Sequence, residues 1–277
     1  MEWNGISSLI YGLLSGFTGI LPVSCDAHQR LFQELTGISG QEDGFRLSCH
    51  LSVFVALLLI FRPELTRFRR ERRIASVPPR RRRRQPDQSA LKEDRFLRTA
   101  AIPAVLSAVA CGFSRPYLQK LWVLALMLVL CGILLYLPQF FRIGNKKADL
   151  VSGLDGVLVG LGSGLSSVPG VSGFAGCLCV GSLRGIDKQF AADTGLLLMT
   201  AVLPVLMGFD IYGIIAGGAV FSARWLFLYF FAAVAAFAGT WLAVKLVRFL
   251  AVRVGFSGFA YYCWGVAIFT FALYLMI

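Results

Sequence analysis

Apolar runs recur along nearly the whole length of this chain, and backbone that passes through lipid must satisfy its own hydrogen bonds. Only helices and closed barrels do so. A barrel would show period-two alternation in segments of about ten residues, and the sequence lacks that pattern. Charged residues make up 15% of the chain, against about 25% in soluble domains, and the mean hydropathy is +0.70. The prediction is an all-α polytopic membrane protein, with apolar segments near 5–24, 47–61, 99–113, 122–137, 151–180, 194–220, 225–244 and 259–277. Segments 47–61, 99–113 and 122–137 fall short of the roughly 20 residues that cross a bilayer comfortably, so their helices are expected to extend into flanking polar sequence.

Segments 5–24 and 151–180 are rich in Gly and Ser and contain Pro. They also echo one another: Gly12 to Ser24, laid without a gap on Gly160 to Ser172, matches at 6 of 13 positions. Interrupted apolar segments at corresponding places in two halves point to a binding site built from an internal repeat. Irregular backbone at membrane depth is tolerated where protein or a water-filled cavity surrounds it. The expected architecture is a single transmembrane domain over 1–277. It is an inverted-repeat helical bundle with two re-entrant broken-helix hairpins, repeat one covering about 1–137 and repeat two about 151–277. Most of the 29 glycines are read as helix-packing residues.

The net charge of +12 is concentrated between Arg62 and Arg98, which hold fourteen Lys/Arg and five acids. Without interleaved aromatics this is a poor nucleic-acid surface, and none is expected as a partner. It fits the positive-inside bias of a cytoplasmic loop, and Arg80 to Arg84 could hold anionic phospholipid headgroups. Pro78, Pro79 and Pro86 preclude one continuous helix through the loop. With 62–98 cytoplasmic, Arg142, Lys146 and Lys147 fall on the same side, as do Lys245, Arg248 and Arg253, and the last segment ends outside. Trp122, Trp225, Trp241 and Trp264 are expected at the interfaces. Glu2 and the absence of a basic n-region speak against a cleavable signal peptide. Seven cysteines, nearly all in apolar stretches, read as small buried hydrophobes rather than a disulfide framework or a metal site.

Polar groups inside a membrane are costly and mark candidate sites. The densest group follows the first broken segment: Ser24, Cys25, Asp26, His28, Gln29 and Arg30. The second supplies Ser163, Ser166, Ser167 and Ser172. Arg46, His50, Asp155, Arg184, Asp187, Lys188, Asp193 and Asp210 are more isolated, and an interfacial placement is expected for most of them. His28 and His50 are the only histidines. Ser24 close to His28 suggests a nucleophile–base pair.

The run Gly12-x-x-Ser15-Gly16-Phe17-Thr18-Gly19-Ile20-Leu21-Pro22-Val23-Ser24-Cys25-Asp26-Ala27-His28 resembles the first signature of the bacitracin-resistance-type undecaprenyl-pyrophosphate phosphatases, approximately Gly-x-x-Glu-Gly-Leu-Thr-Glu-Phe-Leu-Pro-Val-Ser-Ser-x-Gly-His. Pro169-Gly170-Val171-Ser172-Gly173-Phe174-Ala175-Gly176 resembles the second, Pro-Gly-x-Ser-Arg-Ser-Gly, and Phe45-x-Leu47-x-Cys49-His50-Leu51 is similar to the segment after the first. The resemblance covers essentially the whole chain. It implies catalytic positions at Ser24, His28 and Ser172, and substrate-binding positions at Cys25, Pro169, Gly170 and Gly173; Asp26, Arg30 and Arg46 are read as further substrate-binding residues from their charge. It also implies a multi-pass protein of the bacterial cytoplasmic (inner) membrane.

The departures alter the chemistry that the resemblance implies. The signature's two glutamates are Ser15 and Gly19 here, its arginine is Gly173, the serine after that arginine is Phe174, and the second serine of the first signature is Cys25. Breaking a pyrophosphate requires its developing charge to be stabilised, and carboxylates would hold a divalent cation. No metal site is therefore expected, with Mg or Ca relevant only to an active enzyme. Asp26 with Arg30 or Arg46 could substitute, and Cys25 could act as a thiolate. The expected function is binding, or translocation, of a polyprenyl phosphate or pyrophosphate carrier lipid with catalysis impaired, in a chain that could be a homodimer. An active phosphatase with relocated groups and a small-solute transporter are the alternatives. Restoring Ser15→Glu, Gly19→Glu and Gly173→Arg together is expected to raise phosphatase activity.

Overall fold

The computed structural model describes residues 2–141, 144–217, 222–253 and 255–277. Arg142 and the end of the apolar segment at 218–220 lie outside them. Eleven α-helices occur among the described residues: α1 Gly5–Thr18, α2 Cys25–Thr36, α3 Glu42–Ile60, α4 Arg62–Ser76, α5 Gln88–Gly112, α6 Leu121–Tyr136, α7 Gly153–Gly164, α8 Gly173–Leu183, α9 Lys188–Gly217, α10 Ala223–Arg253 and α11 Gly258–Met276. Six of these, α3, α5, α6, α9, α10 and α11, are long and apolar enough to cross a membrane. This is a multi-pass, all-α membrane protein.

The polar extensions expected of the short segments are present in two of the three, while α6 lengthens only by a short 3-10 turn over Leu137–Phe140. Helix α3 begins five residues before its apolar run, at Glu42, and α5 begins in the basic stretch at Gln88. The basic loop breaks at its prolines, with α4 ending at Ser76 and α5 starting after the Asp87 cap. Trp122 and Trp225 sit at helix starts, but Trp241 lies well inside α10, which runs on to Arg253, and Trp264 donates to the Val129 carbonyl within the α6–α11 pair. Trp264 is a packing residue of the bundle, while Trp241 stays exposed on the flank of α10.

The broken segments form two helix–turn–helix units, α1–α2 and α7–α8. At 1.5 Å per residue, 11 to 14 residues reach about 17–21 Å, short of a bilayer core of about 30 Å. Hydropathy does not reveal the return arm α2, because Cys25–Thr36 is polar and largely faces protein.

Small residues seat both units. Gly12 and Gly16 bring α1 against the backbone of Ala232 and Ala236 on α10, where any Cβ would collide. Gly160 and Gly164 bring α7 against Ala100, Ala104 and Ser107 on α5 in the same way. These are corresponding positions of the two echoing stretches, so part of the sequence echo is a packing requirement. The exchange is reciprocal: the first unit packs chiefly on a helix from the second half, and the second unit on a helix from the first half.

The basic connections share one end of the bundle. Arg248 of α10 pairs with Glu64 of α4 (3.3 Å) and Asp193 of α9 (3.2 Å), and Lys92 pairs with Asp149 (2.8 Å). At the opposite end Trp3 donates to the Gly40 carbonyl (2.9 Å), and Arg224 meets Glu2 (3.4 Å).

Candidate functional site

The tips of the two units meet. The Gly170 N–H donates to Ser24 Oγ at 2.9 Å across 146 residues of sequence. Gly170 has φ of +89°, a conformation that glycine adopts without strain, and a side chain there would press on Met127. Ser24 is also the N-cap of α2, accepting from Ala27 N–H (3.3 Å), and Ser172 is the N-cap of α8, accepting from Ala175 N–H (3.3 Å). The two motif serines therefore hold two helix starts in place. The unpaired N–H groups and positive dipole ends of those starts favour an anion.

A pocket lies between the tips, lined by Ser15, Gly19, Ser24, Cys25, Ser172 and Gly173, with Asp26 and His50 at its polar edge. Ser15 donates to the Tyr11 carbonyl (2.7 Å) and accepts from Gln29 Nε2 (2.9 Å), so the first acidic position is a closed neutral network. The Cys25 thiol donates to the Ser15 carbonyl (3.5 Å). At Gly173 an added Cβ would collide with the Ser163 carbonyl and Ser166 Oγ, and Gly162 faces Gly176 at similarly close range. The α7–α8 unit has closed over the space that the signature's arginine would occupy.

His28 stands apart from this pocket. Its Nδ1–H donates to the Ser24 carbonyl oxygen (2.6 Å), which leaves Nε2 to accept from Tyr262 Oη–H (2.7 Å). The ring lies parallel to Tyr262, at 3° and 5.7 Å between centroids, and ties α2 to α11. No bond joins it to the Ser24 hydroxyl among the described residues.

The histidine that does line the pocket is His50, whose Nδ1–H donates to Asp210 Oδ2 (2.6 Å). Its Nε2 is thereby left as the basic atom. Asp210 is 1% exposed, enclosed by protein. Arg46 Nε lies 3.4 Å from Asp210 Oδ1, and its Nη2 binds Asp43. Asp26 accepts from Arg115 Nη2 (2.9 Å), and Arg30 pairs with Glu34 (2.6 Å). Arg30, Arg46, Asp26 and Pro169 face a second cavity next to the serine pocket, together with Arg115.

Sequence reasoning left Asp210 isolated and passed over Arg115. Asp210 meets His50 across 160 residues, and no spacing encodes that. Arg115 did leave a trace, as the single charged residue between positions 99 and 119.

Mg or Ca would need several oxygen ligands. Asp26, Asp43 and Asp210 are each engaged by an arginine or histidine. Among the described residues no group of three or more His, Cys, Asp or Glu is arranged to hold a metal ion. The donor set does not fit such a cation.

The sequence matches the bacitracin resistance protein BacA family over residues 8–269. It is 28% identical to undecaprenyl-diphosphatase 1 of Shouchella clausii over 273 residues, 96% of this chain and 95% of the relative. It is 26% identical to an undecaprenyl-diphosphatase of Carboxydothermus hydrogenoformans over 268 residues, 94% of each. A Micrococcus luteus undecaprenyl-diphosphatase is 30% identical over 200 residues, 72% of this chain and 70% of the relative. The chain belongs to the BacA family.

Proposed function

We propose that this BacA-family protein binds a polyprenyl phosphate or diphosphate carrier lipid between its two hairpin tips, and that its hydrolysis of that lipid is impaired. The carrying observation is the Ser24–Gly170 contact, which brings the starts of α2 and α8 to one pocket. Converging helix starts at the meeting of two broken segments form an anion site near mid-membrane. Ser24, Ser172 and the first-turn N–H groups orient the headgroup. With Ser15 in a neutral network, no side chain at Gly19 and the arginine site closed, the signature's own groups for stabilising charge on a departing phosphate are missing.

The reciprocal packing of α1 on α10 and α7 on α5 supports two inverted repeats, a scaffold suited to translocation. The basic end would face the cytoplasm of a bacterial cell, where Arg80 to Arg84 can meet anionic phospholipid headgroups.

Native mass spectrometry of protein purified from membranes is the direct test. A bound prenyl lipid carrying one or two phosphates is expected, with two persisting on addition of Mg or Ca. Absence of any prenyl lipid, together with no exchange of labelled lipid between liposome leaflets, contradicts the reading.

One observation favours a second reading, an active phosphatase with relocated groups: the His50–Asp210 pair sets a basic imidazole at the serine pocket. In that case phosphate release would be measurable and would fall to background in His50→Ala and Asp210→Asn.

A further inference from the structure

We propose that Arg115, with Arg46, clamps the ligand's diphosphate in a vestibule beyond the serine tips, at the end of the bundle opposite the basic loops. The proposal rests on the lipid-binding reading above and assigns its headgroup contacts. Arg115 sits in the short turn between α5 and α6 and is 7% exposed. Its Nη2 donates to Asp26, but its Nη1 is buried without a hydrogen-bond partner among the described residues. Arg46 Nε is likewise buried and lacks a hydrogen bond of good geometry. Leaving donors of a buried cation unmet is costly unless something else meets them. Two guanidinium groups offering paired N–H donors match the oxygens of a phosphate.

Both arginines line a vestibule of about 780 Å³ that includes Glu42, Asp43, Phe209 and Asp210. Both also line the inner cavity with Tyr11, Gln29 and Pro169. Asp26 borders that inner cavity and the serine pocket alike. A headgroup entering from the vestibule would therefore meet Arg46 and Arg115 before it reached the starts of α2 and α8. The Asp26–Arg115 pair stands between the two compartments. Asp26 competes with the ligand for Arg115, and Glu42, which makes no ion pair among the described residues, repels an anion at the rim.

The test uses the full-length protein in detergent, with farnesyl diphosphate and inorganic pyrophosphate as probes in titration calorimetry. Arg115→Gln combined with Asp26→Asn removes both charges of the buried pair, and should weaken farnesyl diphosphate binding on the order of tenfold or more. Asp26→Asn alone frees Arg115 and should tighten it, a gain that a merely damaged fold would not give. Arg224→Gln, exposed at the same end, should leave affinity unchanged. If wild type binds farnesyl diphosphate and the double variant binds it equally well, the clamp is wrong while the lipid-binding reading stands. If wild type binds neither probe, the lipid-binding reading falls and the clamp with it.

Discussion

Gly173 shows how a substitution can be fixed in place by its neighbours. The position has lost an arginine relative to the family signature, and Ser163 and Ser166 now occupy the space where a side chain would begin. Replacing Gly173 with arginine alone should lower thermal stability by about 1–3 kcal/mol or more, the range for overpacking. Trimming Ser166 would leave the Ser163 carbonyl and the Ser166 backbone nitrogen in the way, so the triple restoration suggested by sequence should fail to raise activity. Phosphate release by the triple variant checks this, and release well above that of the unaltered protein would contradict it. The motif serines make a simpler case. Ser24→Ala removes an N-cap and the Gly170 bond together, at about 1 kcal/mol each. Ser172→Ala removes a cap alone, so Ser24→Ala should show the larger fall in unfolding midpoint.

Elements carry the next level of prediction. Gly12→Leu and Gly160→Leu each wedge a side chain between helices that touch through backbone, α1 from α10 and α7 from α5. Both should destabilise the fold comparably and abolish lipid retention, as read by thermal unfolding and native mass spectrometry. In the basic loop, Glu71 accepts from Arg84 Nη2 (2.5 Å) and from Asp87 N–H (3.0 Å). The bond from Arg84, then that from Asp87 N–H, pulls its carboxyl down to about 2. A lowered acid contributes order above its unfolded value, and that order is lost as pH falls through the folded value. Hydrogen exchange over residues 77–87, corrected for intrinsic rate, should therefore stay slow at neutral pH and accelerate between about 4.5 and about 2. Glu71→Gln should show the fast exchange already at neutral pH. The membrane helices and the proline break of this loop were legible because hydropathy, charge and proline act locally. Helix α2 was not, because a polar helix buried in protein has no hydropathy signature. The Ser24, Cys25, Asp26, Ser172 and Gly173 grouping came from the resemblance to the family's two signatures. The partners of His28 were not legible because spacing cannot distinguish contact with a serine's hydroxyl from contact with its carbonyl. Asp210–His50 and Asp26–Arg115 are tertiary meetings over 160 and 89 residues, which no local pattern records.

At the scale of the whole molecule, six crossings with the basic connections gathered at one end place both termini at the other. Cysteines introduced at Asn4 and Ile277 in a cysteine-depleted background should react with an impermeant maleimide from the same face of sealed vesicles, and one at Arg83 from the opposite face. Labelling of all three from one side would overturn the topology. The two short units meeting between those faces are what make an anion site inside the bilayer physically sensible, since their helix starts supply positive ends where a bare phosphate would otherwise face hydrocarbon.

Retention of the lipid diphosphate without its cleavage is the central claim, and single-turnover phosphate release reports on it most directly. Protein in excess over undecaprenyl diphosphate, with Mg or Ca supplied, should bind the lipid and release phosphate no faster than protein-free micelles. Stoichiometric release that disappears in Ser24→Ala would show a working phosphatase and contradict the account.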